Sequence, residues 1–262
     1  MIEVKNLSFA YKTEKILDDI SFSTNEGRLI AVLGANGAGK STLFKCLLSF
    51  LRTYEGEIFM GGKNIRNLSR KEMARMAAYI PQSETPVFNY KVLETVLMGT
   101  TGMLSPLQSP SAEHIETAHE AIASLGIEYL EQRGINEISG GERQLAFLAR
   151  AMAQKAKVLI MDEPTANLDY GNQQHVLNQI HEMAKQGYTI LLSTHNPEHA
   201  LQYATHVLAI KDHKILADGP ADTEMNEKLI EEIYGLNVTV IEVEIDGRKV
   251  RSCIPSTVLR KQ

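Results

Sequence analysis

Gly34-Ala35-Asn36-Gly37-Ala38-Gly39-Lys40-Ser41 sets three glycines, a lysine and a hydroxyl at the spacing GxxxxGK[ST]. That is phosphate-handling chemistry. Glycines let the backbone curl until its N–H groups face inward, and a helix starting at Lys40 aims partial positive charge at the same point. Lys40 is expected to reach the β- and γ-phosphates of a nucleoside triphosphate, and Ser41 to ligate Mg²⁺. A glycine-rich turn with a chance lysine is the plainer reading, but it leaves the coincidence of four fixed positions unexplained. No Asn-Lys-x-Asp sequence occurs, which argues against a GTPase.

Two further clusters carry chemistry. Lys157-Val158-Leu159-Ile160-Met161-Asp162-Glu163-Pro164 is an apolar run ending in adjacent carboxylates. At the carboxyl end of a parallel strand, Asp162 suits Mg²⁺ held through its water shell. Side chains alternate along a strand, so Glu163 points differently and suits a general base that polarises the attacking water. Ser139-Gly140-Gly141-Glu142-Arg143-Gln144 opens a helix. Taken alone, Ser139 and Glu142 form a capping box. That leaves Gly140-Gly141 unaccounted for, two poor helix formers in a first turn, useful where a backbone must closely approach a ligand.

The elements that must position these residues follow from apolar patterning. Residues 2–4, 16–22 and 29–33 read as strands, the last running into the glycine loop. Leu43, Leu47 and Leu51 recur at i+4 beside Phe44 and Leu48, which predicts a helix from Lys40. A strand over 56–60, closed by Gly61-Gly62, and a short helix over 69–78 come next. Residues 91–154 predict helices broken by a loop at 99–110 and no strand. Continuous apolar runs at 158–161, 190–192 and 207–210 predict strands buried on both faces, with helices over 172–185 and 197–203 between them. Val238, Val240, Val243 and Ile245 lead through Asp246-Gly247 to Val250 and Ile254, a hairpin signal. That hairpin reads as an edge cover packed on the core.

Composition narrows the class. The 262 residues are 44% hydrophobic and 23% charged, which excludes disorder and collagen. With 27 basic against 32 acidic residues, the chain has no global attraction for nucleic acid or anionic lipid. Cys46 and Cys253 are the two cysteines and form no metal-ligand spacing, so a reducing cytosol suits the chain. No run approaches the ~18 apolar residues of a membrane span, and the N-terminus lacks a signal-peptide pattern. Any membrane role is therefore expected through a partner. Histidines other than His195, among them His114, His119, His175 and His181, read as solvated helix residues.

Taken together, the motifs resemble the nucleotide-binding subunit of ATP-binding cassette (ABC) proteins over most of the chain. Ile138-Ser139-Gly140-Gly141-Glu142 is similar to the family signature LSGGQ, and Ala166-Asn167-Leu168-Asp169 resembles the D-loop. Leu192-Ser193-Thr194-His195 resembles the switch-histidine segment and Tyr79-Ile80-Pro81-Gln82 the Q-loop. Tyr11, after Leu7-Ser8-Phe9, sits where the family places an aromatic ring on adenine. The resemblance implies an α/β fold, a P-loop NTPase core with a mainly parallel sheet, an N-terminal antiparallel β subdomain and a helical signature subdomain. It implies one ABC ATPase domain, with the core at about 1–90 and 155–235, the helical part at about 91–154 and a hairpin extension at about 236–262.

It also implies a head-to-tail dimer of two copies with ATP between them. One copy would contribute Tyr11, Gly34, Asn36, Gly37, Ala38, Gly39, Lys40, Ser41 and Thr42. The other would contribute Ser139, Gly140, Gly141, Glu142 and Asp169 in trans. Mg²⁺ would be held by Ser41, Gln82 and Asp162, and the catalytic groups would be Glu163, His195 and Gln82. Four departures from the family pattern stand out: Ala35 for Pro, Ile138 for Leu, Glu142 for Gln, and Ala166-Asn167 for Ser-Ala. None removes a catalytic group. The Glu142 charge bears on nucleotide affinity or dimer lifetime.

Glu94-Thr95-Val96-Leu97-Met98-Gly99, Leu168-Asp169-Tyr170-Gly171-Asn172-Gln173 and Ile233-Tyr234-Gly235 resemble the importer subgroup for iron chelates, haem, cobalamin and oxyanions such as molybdate. That subgroup implies a separate integral membrane permease, an extracytoplasmic solute-binding protein acting through it, and peripheral attachment at the cytoplasmic face of the membrane. Residues 82–99 are expected to face the permease. A soluble ABC-type ATPase of iron–sulfur cluster assembly is the alternative, since the chain has room for neither the coiled coil of DNA-repair relatives nor the second cassette of translation relatives. A nucleotide-switched binding module without turnover is disfavoured by Glu163 and His195.

Overall fold

Apolar and β-branched runs form strands where expected, with longer bounds. The computed structural model describes residues 1–82, 86–104, 108–245 and 247–259. The chain starts with β1 (Ile2–Tyr11), β2 (Glu14–Thr24), β3 (Leu29–Leu33), α1 (Lys40–Leu47), β4 (Glu55–Met60) and the two-residue β5 (Lys63–Asn64). It continues with α2 (Arg70–Met76), β6 (Ala77–Ile80), α3 (Val92–Leu97), α4 (Ala112–Ser124), α5 (Gly140–Ala153), β7 (Val158–Asp162) and α6 (Tyr170–Lys185). Then come β8 (Thr189–Thr194), α7 (Pro197–Tyr203), β9 (His206–Lys211), β10 (Lys214–Pro220), α8 (Ala221–Glu224), α9 (Glu227–Tyr234), β11 (Val238–Ile245), β12 (Arg248–Pro255) and α10 (Ser256–Leu259).

Two compact units result, one of residues 1–66 with 189–262 and one of residues 67–188. In the first, β1 pairs antiparallel with β2 and β4, burying Ile2, Val4, Leu7 and Phe9 on one face. A second layer runs β10-β9-β3-β8, parallel except for the antiparallel β10. Every residue of β3 and β8 is buried, as strands covered on both faces require. Phe44, Leu43 and Leu47 of α1 are fully buried, each contributing about 1.5–3 kcal/mol of hydrophobic stabilisation. Leu229, Ile230 and Ile233 of α9 join Ala31, Leu33, Val207 and Ala209 in one cluster, against which Val240 and Cys253 of the hairpin pack. The hairpin is in register from Val238↔Pro255 to Ile245↔Arg248. Of its expected turn, Gly247 has φ +74° and Asp246 lies outside the described residues.

The second unit holds the parallel pair β6 and β7, with α5 packed by α3, α4 and α6. A single helix over 69–78 is not what forms. Ser69 and Glu72 make a capping box that starts α2, but Ala77 turns extended (φ −132°, ψ 137°) and the buried run Ala77–Ile80 becomes a strand. Its backbone groups pair with β7 from Ala77↔Val158 to Ile80↔Met161, and that sheet bonding overrides the helix propensity of alanine. Among the described residues of 91–154 there is no strand, only the isolated bridge Lys91↔Gly134. The expected loop at 99–110 begins as a 3₁₀ turn, Met98–Met103, with residues 105–107 outside the described set. Gly99 is required there, because a Cβ would lie 2.2 Å from the Arg150 carbonyl oxygen.

Candidate active site

In the first unit, the loop from Gly34 to Gly39 joins β3 to α1, and each glycine has its own reason. Gly37 has φ +82° with open space around it, so conformation alone demands glycine. Gly34 and Gly39 also lack room: a Cβ would meet the Ile210 carbonyl oxygen at 2.6 Å and the Ile16 carbonyl oxygen at 2.9 Å. Gly39 stands at the N-cap of α1 in the left-handed region, with no side-chain cap and no acidic residue in the first turn. The helix start thus presents backbone N–H groups and partial positive charge, the anion-binding arrangement. Lys40 is buried, and its Nζ donates to the carbonyl oxygens of Gly34 (2.7 Å) and Ala35 (3.0 Å). Its ammonium is therefore held over the curl of the loop. Thr42 is buried, while Ala35, Asn36, Gly37 and Ser41 are exposed and Ala38 half-buried.

His195 belongs to the same edge. Leu33 pairs with Thr194, so the glycine loop and His195 both leave the parallel layer at its carboxyl ends, where ligands bind in α/β sheets. His195 is exposed. Tyr11, at the end of β1, is 44% exposed and stands edge-on to Phe9 at 4.8 Å.

One histidine departs from the sequence reading. His199 on α7 is buried rather than solvated, with Nδ1 3.0 Å from Thr194 Oγ1 and Nε2 3.2 Å from Asn196 Nδ2. Asn196 Oδ1 accepts from the Glu198 N–H, which turns the amide nitrogen toward His199. Nε2 then accepts and Nδ1–H donates, the pattern of a neutral imidazole. Burial, and next the charge of His195, lower its pKa from 6.5 to about 4. Spacing gave no sign of this residue; burial on a seven-residue helix with polar neighbours is a tertiary property. His119 and His206, for their part, pair with Glu131 and Asp218 at 2.7 Å each.

In the second unit, Ile80 pairs with Met161, so Gln82 and the acidic pair also leave parallel strands at one edge. Asp162 ends β7 and is buried. Glu163 stands beyond the strand at φ +45°, a left-handed conformation costing a residue with a Cβ about 1–2 kcal/mol. Its direction is therefore set by that turn, closed by Ala166 N–H to Glu163 O at 3.0 Å, and not by strand alternation. Gln82 Nε2 donates to Glu163 Oε2 at 3.3 Å.

The capping box at α5 is formed. Ser139 Oγ accepts from the Glu142 N–H (3.3 Å), Glu142 Oε2 accepts from the Ser139 N–H (2.8 Å), and the Tyr129 hydroxyl donates to Glu142 Oε1 (3.2 Å). The Ser139 N–H chiefly, with the Ser139 and Tyr129 hydroxyls adding to it, holds the Glu142 carboxyl below its ordinary pKa. Packing accounts for the second glycine of the pair: a Cβ on Gly141 would lie 2.3 Å from Asn172 Oδ1, whereas one on Gly140 would lie 3.1 Å from Leu168 Cδ2, a contact that a small shift of that side chain relieves. Asn172 in turn donates through N (2.9 Å) and Nδ2 (2.6 Å) to Asp169, the N-cap of α6, and these bonds hold the Asp169 carboxyl low. Ser139, Gly140, Gly141, Glu142 and Asp169 thus form one connected group through Asn172, a residue whose role sequence spacing does not disclose.

The family described as ABC transporter matches residues 17–166. An ATP-binding protein of Helicobacter pylori named for iron chelatin transport is 39% identical over 236 residues, 89% of this chain and 92% of that one. A hemin import ATP-binding protein of Hydrogenovibrio crunogenus is 35% identical over 253 residues, 92% and 95% of the two chains. A transporter described as of metal-chelate type, solved in an inward-facing conformation, superposes with a TM-score of 0.85 at 28% identity, covering 97% of this chain and 96% of that chain.

Proposed function

Because this chain belongs to the ABC transporter family as an ATP-hydrolysing importer subunit, we propose that it powers uptake of iron held in an organic chelate, haem included, through a separate permease. One observation carries the coupling: Gln82 bonds Glu163 at 3.3 Å, and Gln82 opens the segment bearing the exposed Val87, Phe88, Tyr90 and Met98. These apolar side chains, with Pro81, Ile135, Phe147 and Arg150, line a cavity of about 280 Å³. Contiguous exposed apolar surface of this kind suits a protein partner. Residues 83–85 of the expected permease-facing segment lie outside the described set. Among the described residues no helix is long and apolar enough to cross a membrane. Attachment at the cytoplasmic face through the permease is part of the proposal. A solute-binding protein delivers the cargo to that permease from the other side. The net charge of −5 gives no global attraction for nucleic acid.

The glycine loop fits a nucleoside triphosphate, since its glycines leave the backbone as the cradle. ATP with Mg²⁺ supplies the phosphoryl group transferred to water. Lys40 and the 34–42 backbone would hold the phosphates, Tyr11 would stack on the base, and Ser41, Asp162 and Gln82 would hold the cation. Glu163 accepts the proton of the attacking water, and His195 keeps the γ-phosphate in line. In a head-to-tail pair, Ser139, Gly140, Gly141, Glu142 and Asp169 of the second copy close over that phosphate. Their capping bonds order the α5 N-terminus beforehand, so less freedom is lost on closure. Relatives named for transport favour this reading over iron–sulfur assembly.

Purification of the tagged chain from gently solubilised native membranes, with mass spectrometry, tests the proposal. A polytopic permease and a chelate-binding receptor are expected. Recovery with soluble assembly proteins, or a receptor specific for a bare divalent cation, would overturn it.

A further inference from the structure

The hairpin β11–β12 is more than an edge cover. It is tied down at three places. The Arg251 guanidinium donates to the carbonyl oxygens of Ala221 (3.2 Å), Asp222 (3.1 Å) and Met225 (2.5 Å), and the Val240 N–H donates to Glu227 Oε1 at 3.0 Å. Those bonds fasten it to α8 and α9. The third tie runs elsewhere: Glu198 Oε1 accepts from the Cys253 N–H (2.7 Å) and the Ser252 hydroxyl (3.0 Å).

Glu198 stands in the first turn of α7, three residues after His195. Its own N–H donates to Asn196 Oδ1 at 3.0 Å, capping the helix, and its Oε2 accepts from Gln202 Nε2 at 2.8 Å. Asn196 is fixed from two more sides, by its N–H on Thr194 Oγ1 (3.1 Å) and its amide nitrogen on His199 (3.2 Å). Both neighbours of His195 in the chain, Thr194 and Asn196, therefore belong to one hydrogen-bonded group that ends on β12. A carboxylate accepting two neutral donors at these distances makes charge-assisted bonds, stronger than those between neutral groups. His195 itself is exposed, and these flanking residues set where its backbone stands.

We propose that Glu198 is a positioning residue, latching the C-terminal hairpin to the helix that sets the His195 loop. This rests on the reading of His195 as the residue that keeps the γ-phosphate in line. The hairpin then acts on turnover from a distance: with β12 held, the 195–196 turn stays in its attacking geometry, and with the latch cut it wanders. Because the latch touches neither the glycine loop nor Tyr11, its loss is expected in kcat and not in KM.

Full-length Glu198→Ala, Glu198→Gln, His195→Ala and the double variant E198A/H195A test this by steady-state ATP hydrolysis, thermal unfolding and hydrogen exchange. E198A should lower kcat about ten-fold with KM for ATP within two-fold, and exchange of the 195–203 amides should accelerate. E198Q should recover most of the activity, since its amide oxygen accepts the same two donors. In the H195A background, E198A should cost nothing further. Wild-type kcat in E198A beside an inactive H195A overturns the latch and leaves the reading of His195 intact. Wild-type kcat in H195A overturns that reading and the latch with it. Loss in E198A that E198Q does not restore, with a matching fall in unfolding temperature, marks Glu198 as structural only and also overturns the proposal.

Discussion

Lowering the pH should weaken this protein through His199 before most carboxylates titrate. The imidazole has a pKa of 6.5 when solvated and about 4 in the fold. Between those values the unfolded chain binds a proton that the folded chain refuses. Stability therefore rises with pH across this window, is complete above about 6.5, and is lost as pH falls toward 4. The full difference corresponds to about 3 kcal/mol, of which about 2 kcal/mol is gone by pH 5. The structural cause is specific: a protonated Nε2 would point its hydrogen at Asn196 Nδ2, also a donor, inside a site shared with His195 and Glu198. His199→Asn keeps a donor near Thr194 Oγ1 and removes the titration. Urea unfolding of both proteins at pH 7.5, 6.5, 5.5 and 5.0 reads the effect as a difference, in which the other histidines cancel. The wild type should lose about 2 kcal/mol more than the variant across this range. Parallel curves would refute the reasoning.

Gly141→Ala sets about 1 kcal/mol of helix propensity against a Cβ 2.3 Å from Asn172 Oδ1 and 2.8 Å from its Cβ. Overpacking of about 1–3 kcal/mol should win and lower the unfolding temperature; an unchanged or raised unfolding temperature would refute it. Phe88→Asp changes an exposed side chain of the proposed partner surface, so it should abolish transport in the assembled complex while ATP hydrolysis by the isolated chain continues. Equal loss of both would make the segment catalytic or structural. Lys40→Ala removes the ammonium held over the loop and should abolish ATP binding by calorimetry; retained affinity would separate Lys40 from the phosphates.

The parts of the site legible in the sequence are those whose requirements are local. Gly34, Gly37 and Gly39 answer to the backbone of one loop, and the strand before and helix after it follow from apolar spacing. The acidic strand end is legible for the same reason, although Glu163 takes its direction from a left-handed turn that no period describes. Residues decided by distant neighbours stayed hidden. Ala77 and Ala78 look helical until β7 pairs with them, and His199 looks solvated but is buried beside Thr194 and Asn196. Likewise Gly141 invites a ligand explanation, and Asn172, about thirty residues on, leaves no room there for a side chain.

The central claim is that Glu163 drives hydrolysis in a closed pair of copies. Glu163→Gln, measured for steady-state turnover and for mass in solution with and without ATP, tests it most directly. The account predicts retained ATP binding, an ATP-dependent dimer and no turnover; wild-type turnover, or a chain that stays monomeric with ATP bound, would contradict it.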